Sequence, residues 1–145
     1  MGFTGQIRTL QKKHNFTIPP EIEKAYIDRE LGVVCKNLLD KCEPCEGVAE
    51  ALEKIQKDGK YGMAIVSSSA MPRVDAGIKK GGVMKYFPED KKFSAATSLD
   101  PPSSKPDPTI YSFACEQLGV KPTEAVAIED SKSGKLQLPV LELGG

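Results

Sequence analysis

The sequence predicts an α/β fold in which short parallel strands alternate with helices. Two apolar runs, Met63–Val66 and Ala125–Ile128, are short and unbroken, as is typical of strands buried on both faces of a parallel sheet. Each run follows a segment with helical spacing of apolar residues, so the two patterns alternate along the chain. Alternation of this kind favours a parallel sheet with helices on both faces.

Two helices are predicted ahead of the first strand. The first spans residues 4–14, where apolar residues recur at spacings of three and four and Thr4 can cap the start. The second begins at Pro19-Pro20 and continues to about residue 39, with Gly32 as the position at which it could break or bend.

The rest of the chain repeats the two patterns. Helices are predicted over residues 48–58, 72–80 and 108–118, each followed by a glycine that suits a helix end. A weaker strand is predicted at Phe93–Ala96, and the Pro- and Ser-rich segment Asp100–Pro106 is predicted to be a loop.

Composition excludes several classes of partner. The chain has 145 residues, 39% hydrophobic and 28% charged, with a net charge of zero. This balance leaves no basic surface for nucleic acid, and no apolar run is long enough for a bilayer. The N-terminus does not have the pattern of a signal peptide. We therefore expect a cytoplasmic protein whose four cysteines are thiols.

Three polar features stand where an α/β sheet places its active site, just past the carboxyl ends of strands. They are Ser67–Ser69, Lys105 at a helix entry, and the acidic pair Glu129 and Asp130. Hydroxyl and backbone N–H groups bind phosphoryl oxygens, a lysine neutralises their charge, and paired carboxylates hold a hard cation. Taken singly, the features have structural alternatives: a turn, a solvated charge and a helix cap. Their combination favours a phosphate site beside Mg²⁺.

The spacing of these features resembles the haloacid dehalogenase-like (HAD) hydrolase family, in the branch of β-phosphoglucomutase and small sugar-phosphate phosphatases. Ala64–Ser69 resembles its second motif, Lys105–Pro108 its third and Ala127–Gly134 its fourth, and Glu46–Leu52 resembles the entry into its core. Tyr86–Pro88 and the Lys-Pro-Asp-Pro form of the third motif are also similar to 6-phosphogluconate phosphatases. The resemblance implies a partial helical cap over residues 1–43 and a partial α/β core over 44–145.

The resemblance also implies roles for individual residues. Ser67 would bind the transferring phosphoryl group, with Ser68 beside it, and Lys105 would pair with that group and with the nucleophile. Asp130 would be a Mg²⁺ ligand, and Glu129 would act on the metal directly or through a neighbouring group. Intact family members hydrolyse small phosphorylated metabolites through an aspartyl-phosphate that water then cleaves.

The family's nucleophile belongs to an Asp-x-Asp-Gly-Thr motif, and no Asp-x-Asp occurs in this sequence. We therefore expect a chain that is inactive as written and truncated at both ends relative to the family. The family strand bearing that motif lies between the strands at Met63–Val66 and Ala125–Ile128. Without it both strands have unpaired edges, and each buried unpaired backbone group costs about 1–3 kcal/mol. The edges could pair directly, be filled by another segment or drive association.

The sequence leaves two other interpretations open. One is a non-catalytic protein that keeps only the phosphate-binding residues. The other is a zinc module, in which Cys42 and Cys45 at Cys-x-x-Cys spacing join Cys35 and His14, or a redox pair formed by Cys42 and Cys45 alone.

Overall fold

A computed structural model describes residues 3–103, 107–129 and 140–142 of the chain. The α-helices in this part of the chain are α1 (Phe3–His14), α2 (Pro20–Lys41), α3 (Val48–Asp58), α4 (Met71–Lys80) and α5 (Thr109–Leu118). The strands are β1 (Ile65–Ser67), β2 (Lys92–Ser94), β3 (Ala127–Glu129) and β4 (Val140–Glu142). Short 3₁₀ turns lie at Met84–Tyr86, Glu89–Lys91 and Pro122–Glu124. No helix within the described ranges combines the length and apolarity needed to cross a bilayer.

The predicted helices are confirmed, and glycines end two of them as expected. Gly59 and Gly119 follow α3 and α5 with φ angles of 68° and 67°, in the left-handed region that glycine adopts without a steric penalty. The N–H group of Gly59 donates to the carbonyl of Ile55, which closes the last turn of α3. The helix α2 continues through Gly32 to Lys41, so this glycine does not break it.

The described chain divides into two compact units. One comprises the chain up to Met63 together with Met71–Pro88, and the other comprises Ala64–Ala70 with the chain from Glu89 onward. In the first unit, α2 packs against α1 and α4. The guanidinium of Arg73 on α4 pairs with the carboxylate of Glu30 on α2.

The second unit holds the strands and the helix α5. The strands β1 and β2 pair in parallel with Val66 opposite Phe93, and β3 and β4 pair in parallel with Ile128 opposite Leu141. A core of buried residues joins α5 to β2 and the turn after it; its members are Phe93, Ala95, Ile110, Tyr111 and Ala114. Val66 of β1 and Ala127 of β3 pack against this same core. Each pair of strands therefore contributes to the core that α5 helps to form.

The α/β fold class and the parallel pairing are confirmed. The strands β1 and β3 begin and end later than their apolar runs, and β2 begins and ends earlier than the predicted strand. The strand β1 extends past its apolar residues to Ser67. The carbonyl of Ser67 accepts the N–H of Ala95 at 2.8 Å, which continues the pairing with the segment after β2. The strand β4 is not predicted by the sequence. Among the described strands, β1 pairs only with β2 and β3 only with β4; the predicted truncation stays a prediction. The predicted boundary between residues 43 and 44 stays a prediction.

Candidate functional site

The serine loop, defined as Ser67–Ser69, begins at the last residue of β1 and is half-buried. The N–H of Ser69 donates to Oγ of Ser67 at 3.1 Å. A hydroxyl oxygen that accepts a hydrogen bond still carries its own proton, which can be donated elsewhere. Ser67 therefore keeps a hydroxyl proton that it can donate to an acceptor such as a phosphoryl oxygen.

Ser94 at the end of β2 ties this loop to the neighbouring strand. Its hydroxyl donates to the carbonyl of Ser69 at 2.7 Å and accepts the N–H of Thr97 at 3.1 Å. The residue is fully buried, with 0% of its surface exposed. Sequence reasoning missed Ser94, since nothing but its place in the predicted strand Phe93–Ala96 marks it.

Glu129 is the last residue of β3, so it stands at a strand's carboxyl end as the sequence predicts. Its Oε1 atom accepts a hydrogen bond from the hydroxyl of Tyr111, a buried residue of α5. This bond orients the carboxylate by attaching it to the helix beneath the strand. Carboxylate oxygens are the ligands that Mg²⁺ prefers.

Two of the predicted site residues, Lys105 and Asp130, lie outside the described residues. Asp107 lies just before α5, and its Oδ1 accepts the N–H of Thr109 at 2.9 Å. The Thr109 hydroxyl, and then its backbone N–H, lower the pKa of the Asp107 carboxyl. Asp107 therefore bonds the first residue of α5 from the position before its N-cap residue, Pro108.

The zinc interpretation is wrong for the residues it names. Within the described chain, no three His, Cys, Asp or Glu side chains come together as a metal-binding group. Cys35 lies inside α2, two turns before Cys42, and a helix rises about 10 Å over seven residues. Cys42 and Cys45 are exposed in the connection that follows, and His14 is exposed at the end of α1.

The arrangement brings some predicted residues together. Ser67 and Ser69 share one hydrogen-bonded loop, anchored by Ser94. Ser67 and Glu129 each end a strand that packs on α5 through its apolar residues. A hydroxyl donor and an oriented carboxylate are the groups needed to hold an anionic oxygen and a hard cation.

Solved structures with the same fold are available for comparison. A HAD hydrolase of family IA, variant 3, from Entamoeba histolytica matches with a TM-score of 0.69 at 25% identity, over 88% of this chain and 56% of that one. A HAD family hydrolase from Deinococcus radiodurans, solved with bound phosphate and sodium, matches with a TM-score of 0.60 at 28% identity, over 92% of this chain and 55% of that one.

Curated relatives match shorter stretches. The (S)-2-haloacid dehalogenase 4A of Burkholderia cepacia is 34% identical over 83 residues, 57% of this chain and 33% of that protein. The pyrophosphatase PpaX of Bacillus velezensis is 31% identical over 86 residues, 59% of this chain and 37% of that protein. The matched part is thus about a third of the length of these relatives.

A sequence profile of the haloacid dehalogenase-like hydrolases matches residues 2–134, nearly the whole chain. With the parallel strands over α5 and the serine loop at the end of β1, this match establishes that the chain belongs to the haloacid dehalogenase-like hydrolase family.

Proposed function

We propose that this chain supplies the phosphate-binding part of a magnesium-dependent phosphatase site and binds a small phosphorylated metabolite, such as a sugar phosphate, without hydrolysing it. The observation that carries the proposal is the serine loop, in which the Ser69 N–H holds Oγ of Ser67 as an acceptor. Ser67 and Ser68 would bind phosphoryl oxygens, and Lys105 would neutralise their charge.

The donor set also suits Mg²⁺. Glu129 presents a carboxylate whose orientation is set by Tyr111, and Asp130 follows it in the sequence. We propose that these two residues hold the ion, which when bound would neutralise negative charge on the phosphoryl group. The structure from Deinococcus radiodurans contains phosphate and sodium, which supports phosphate over a halogenated acid as the ligand.

Binding without turnover follows from the residues that the sequence contains. The proposed roles of Ser67, Lys105 and Asp130 position or neutralise a phosphoryl group, and none of them attacks phosphorus. No Asp-x-Asp pair is present to supply the carboxylate nucleophile. The chain would therefore act as a phosphate-binding module, or as one part of a larger active protein.

The proposed compartment is the cytoplasm. Cys42 and Cys45 are exposed thiols, and exposed thiols persist as such in a reducing environment. Soluble phosphorylated metabolites occur in the same compartment. The proposed ligand and the free thiols therefore both fit a cytoplasmic location.

Thermal unfolding with inorganic phosphate and Mg²⁺ tests the proposal. We expect phosphate with Mg²⁺ to raise Tm, because a ligand that binds only the folded state stabilises it. The rise should disappear in Ser67→Ala and, for the Mg²⁺-dependent part, in Glu129→Gln. The exposed Ser112 of α5 provides the matched control, and Ser112→Ala should respond like the unmodified chain.

A turnover assay completes the test. With p-nitrophenyl phosphate and Mg²⁺, we expect no product above the uncatalysed rate. Hydrolysis that Ser67→Ala abolishes would show that the site turns over phosphate esters, and the proposal of binding without turnover would then be wrong. An unchanged Tm at saturating phosphate and Mg²⁺ would mean that the proposed binding function is wrong.

A further inference from the structure

We propose that Ser94 is a positioning residue for the serine loop: its buried hydroxyl holds the Ser69 backbone so that Ser67 keeps its proton for a phosphoryl oxygen. This inference rests on the proposed phosphate-binding function and assigns a role to a residue outside the sequence motifs. Ser94 acts through Ser69 and does not itself contact the phosphate.

The first step is the cost of burying a polar residue at this position. Ser94 has no exposed surface, and a buried hydroxyl destabilises a fold unless it is hydrogen-bonded. Its hydroxyl donates to the carbonyl of Ser69 and accepts the N–H of Thr97. The side chain thus joins the turn after β2 to the serine loop after β1, two segments 25 residues apart in sequence.

The second step is the way in which Ser69 is held from both sides. Its carbonyl accepts from Ser94 at 2.7 Å, and its N–H donates to Oγ of Ser67 at 3.1 Å. The two bonds fix the peptide groups that flank the Cα atom of Ser69. If the bond from Ser94 is removed, the Ser69 carbonyl can rotate, and its N–H then leaves the hydroxyl oxygen of Ser67.

The third step distinguishes the hydrogen bond from Ser94 to Ser69 from the bonds that stabilise only the turn after β2. The hydroxyl of Ser98 accepts the N–H of Ser94 at 3.0 Å, and the Ser98 N–H donates to the Ser94 carbonyl at 2.7 Å. These bonds shape the turn after β2 and make no contact with Ser69. Ser98→Ala therefore removes a hydroxyl from the same turn and leaves the link to the serine loop intact.

The experiment measures the Kd for inorganic phosphate with Mg²⁺ in the full chain and its variants. Ser94→Ala should raise Kd about three- to tenfold, the effect of one lost hydrogen bond on binding. Ser98→Ala should leave Kd within about twofold, whatever it does to Tm. Ser94→Cys keeps a donor at the γ position, though a weak one, and it should fall between Ser94→Ala and the unmodified chain. It also serves as the test variant if Ser94→Ala does not fold.

Amide hydrogen exchange at Ser69 provides a readout that is independent of phosphate. Exchange should be faster in Ser94→Ala than in the unmodified chain, and unchanged in Ser98→Ala, because only the first variant releases the Ser69 peptide. Normal phosphate affinity in Ser94→Ala would overturn the inference, and so would an equal loss of affinity in Ser98→Ala. If the unmodified chain binds no phosphate, the proposed function fails, and Ser69 exchange alone then decides whether Ser94 holds the loop.

Discussion

At the scale of single residues, the cysteines differ sharply in their surroundings. Cys42 and Cys45 are exposed in the connection between α2 and α3, whereas Cys115 is buried on α5. Burial raises the pKa of the Cys115 thiol, because a charged thiolate is poorly solvated in the core. The thiolate is the reactive form, so a raised pKa lowers reactivity at any given pH.

We expect a thiol reagent such as DTNB at pH 8 to label Cys42 and Cys45 quickly and Cys115 only after unfolding. Cys42→Ser and Cys45→Ser should each reduce the fast absorbance change, whereas Cys115→Ser should reduce only the change seen in denaturant. A loss of fast labelling in Cys115→Ser would contradict the buried position of this thiol.

Asp107 makes stability depend on pH. Its pKa lies below the ordinary value of 3.8 when the chain is folded, because the hydroxyl and N–H of Thr109 bond the carboxylate. The carboxylate therefore stabilises the folded state at pH values above 3.8, and this contribution is lost as the pH falls through the lower, folded pKa.

We expect Asp107→Asn to unfold more easily than the unmodified chain near neutral pH, and the difference to shrink at pH values below 3.8. Thr109→Ala removes the hydroxyl donor, the largest cause of the lowered pKa, and should show a smaller difference with the same pH dependence. Urea unfolding from neutral to acid pH measures both. A difference that stays constant across this range would mean that the Asp107 carboxylate contributes nothing through its charge.

At the scale of elements, α5 holds the strands of its unit together. Ile110 lies on its buried side with 0% of its surface exposed, beside Phe93 of β2 and within the core that Val66 and Ala127 contact. Removing a side chain from such a position leaves a cavity that the surrounding residues fill only partly.

We expect Ile110→Ala to lower the free energy of unfolding by about 2–5 kcal/mol and Ile110→Val by about 0.5–1.5 kcal/mol. Ser112→Ala, on the exposed side of the same helix, should change it by less than about 0.5 kcal/mol. Urea unfolding followed by circular dichroism gives these values. An Ile110→Ala chain as stable as the Ser112→Ala control would show that α5 is not the centre of this core.

Elements encoded by local pattern could be predicted, and contacts made across the fold could not. Apolar spacing predicts the helices, and the strand-end positions of Ser67 and Glu129 follow from the apolar runs before them. The bond between Tyr111 and Glu129 joins residues 18 apart, and no pattern in either segment marks it. The first and last residues of a strand depend in the same way on distant partners. The local sequence pattern therefore predicts neither β4 nor the inclusion of Ser67 in β1.

At the scale of the whole molecule, the described strands form two separate pairs. Both pairs contribute to the core that α5 helps to form, yet among the described strands β1 and β3 have no hydrogen-bonded partner other than β2 and β4. Val126, just before β3, is 56% exposed, and Ile128, within β3, is 59% exposed. A strand with an open edge and exposed apolar side chains is a site at which another chain can pair. We propose that copies of this chain associate through these edges.

Sedimentation velocity over a range of concentrations tests the proposed association. We expect the unmodified chain to form dimers or larger species as concentration rises. Ile128→Lys should shift the distribution toward monomer, because a charged side chain on an exposed strand opposes pairing. Tyr61 is 67% exposed and lies outside the strands, so Tyr61→Lys adds the same charge and should associate like the unmodified chain. A monomer at all concentrations, or equal association of the Ile128→Lys chain, would show that the edges of β1 and β3 are not the interface.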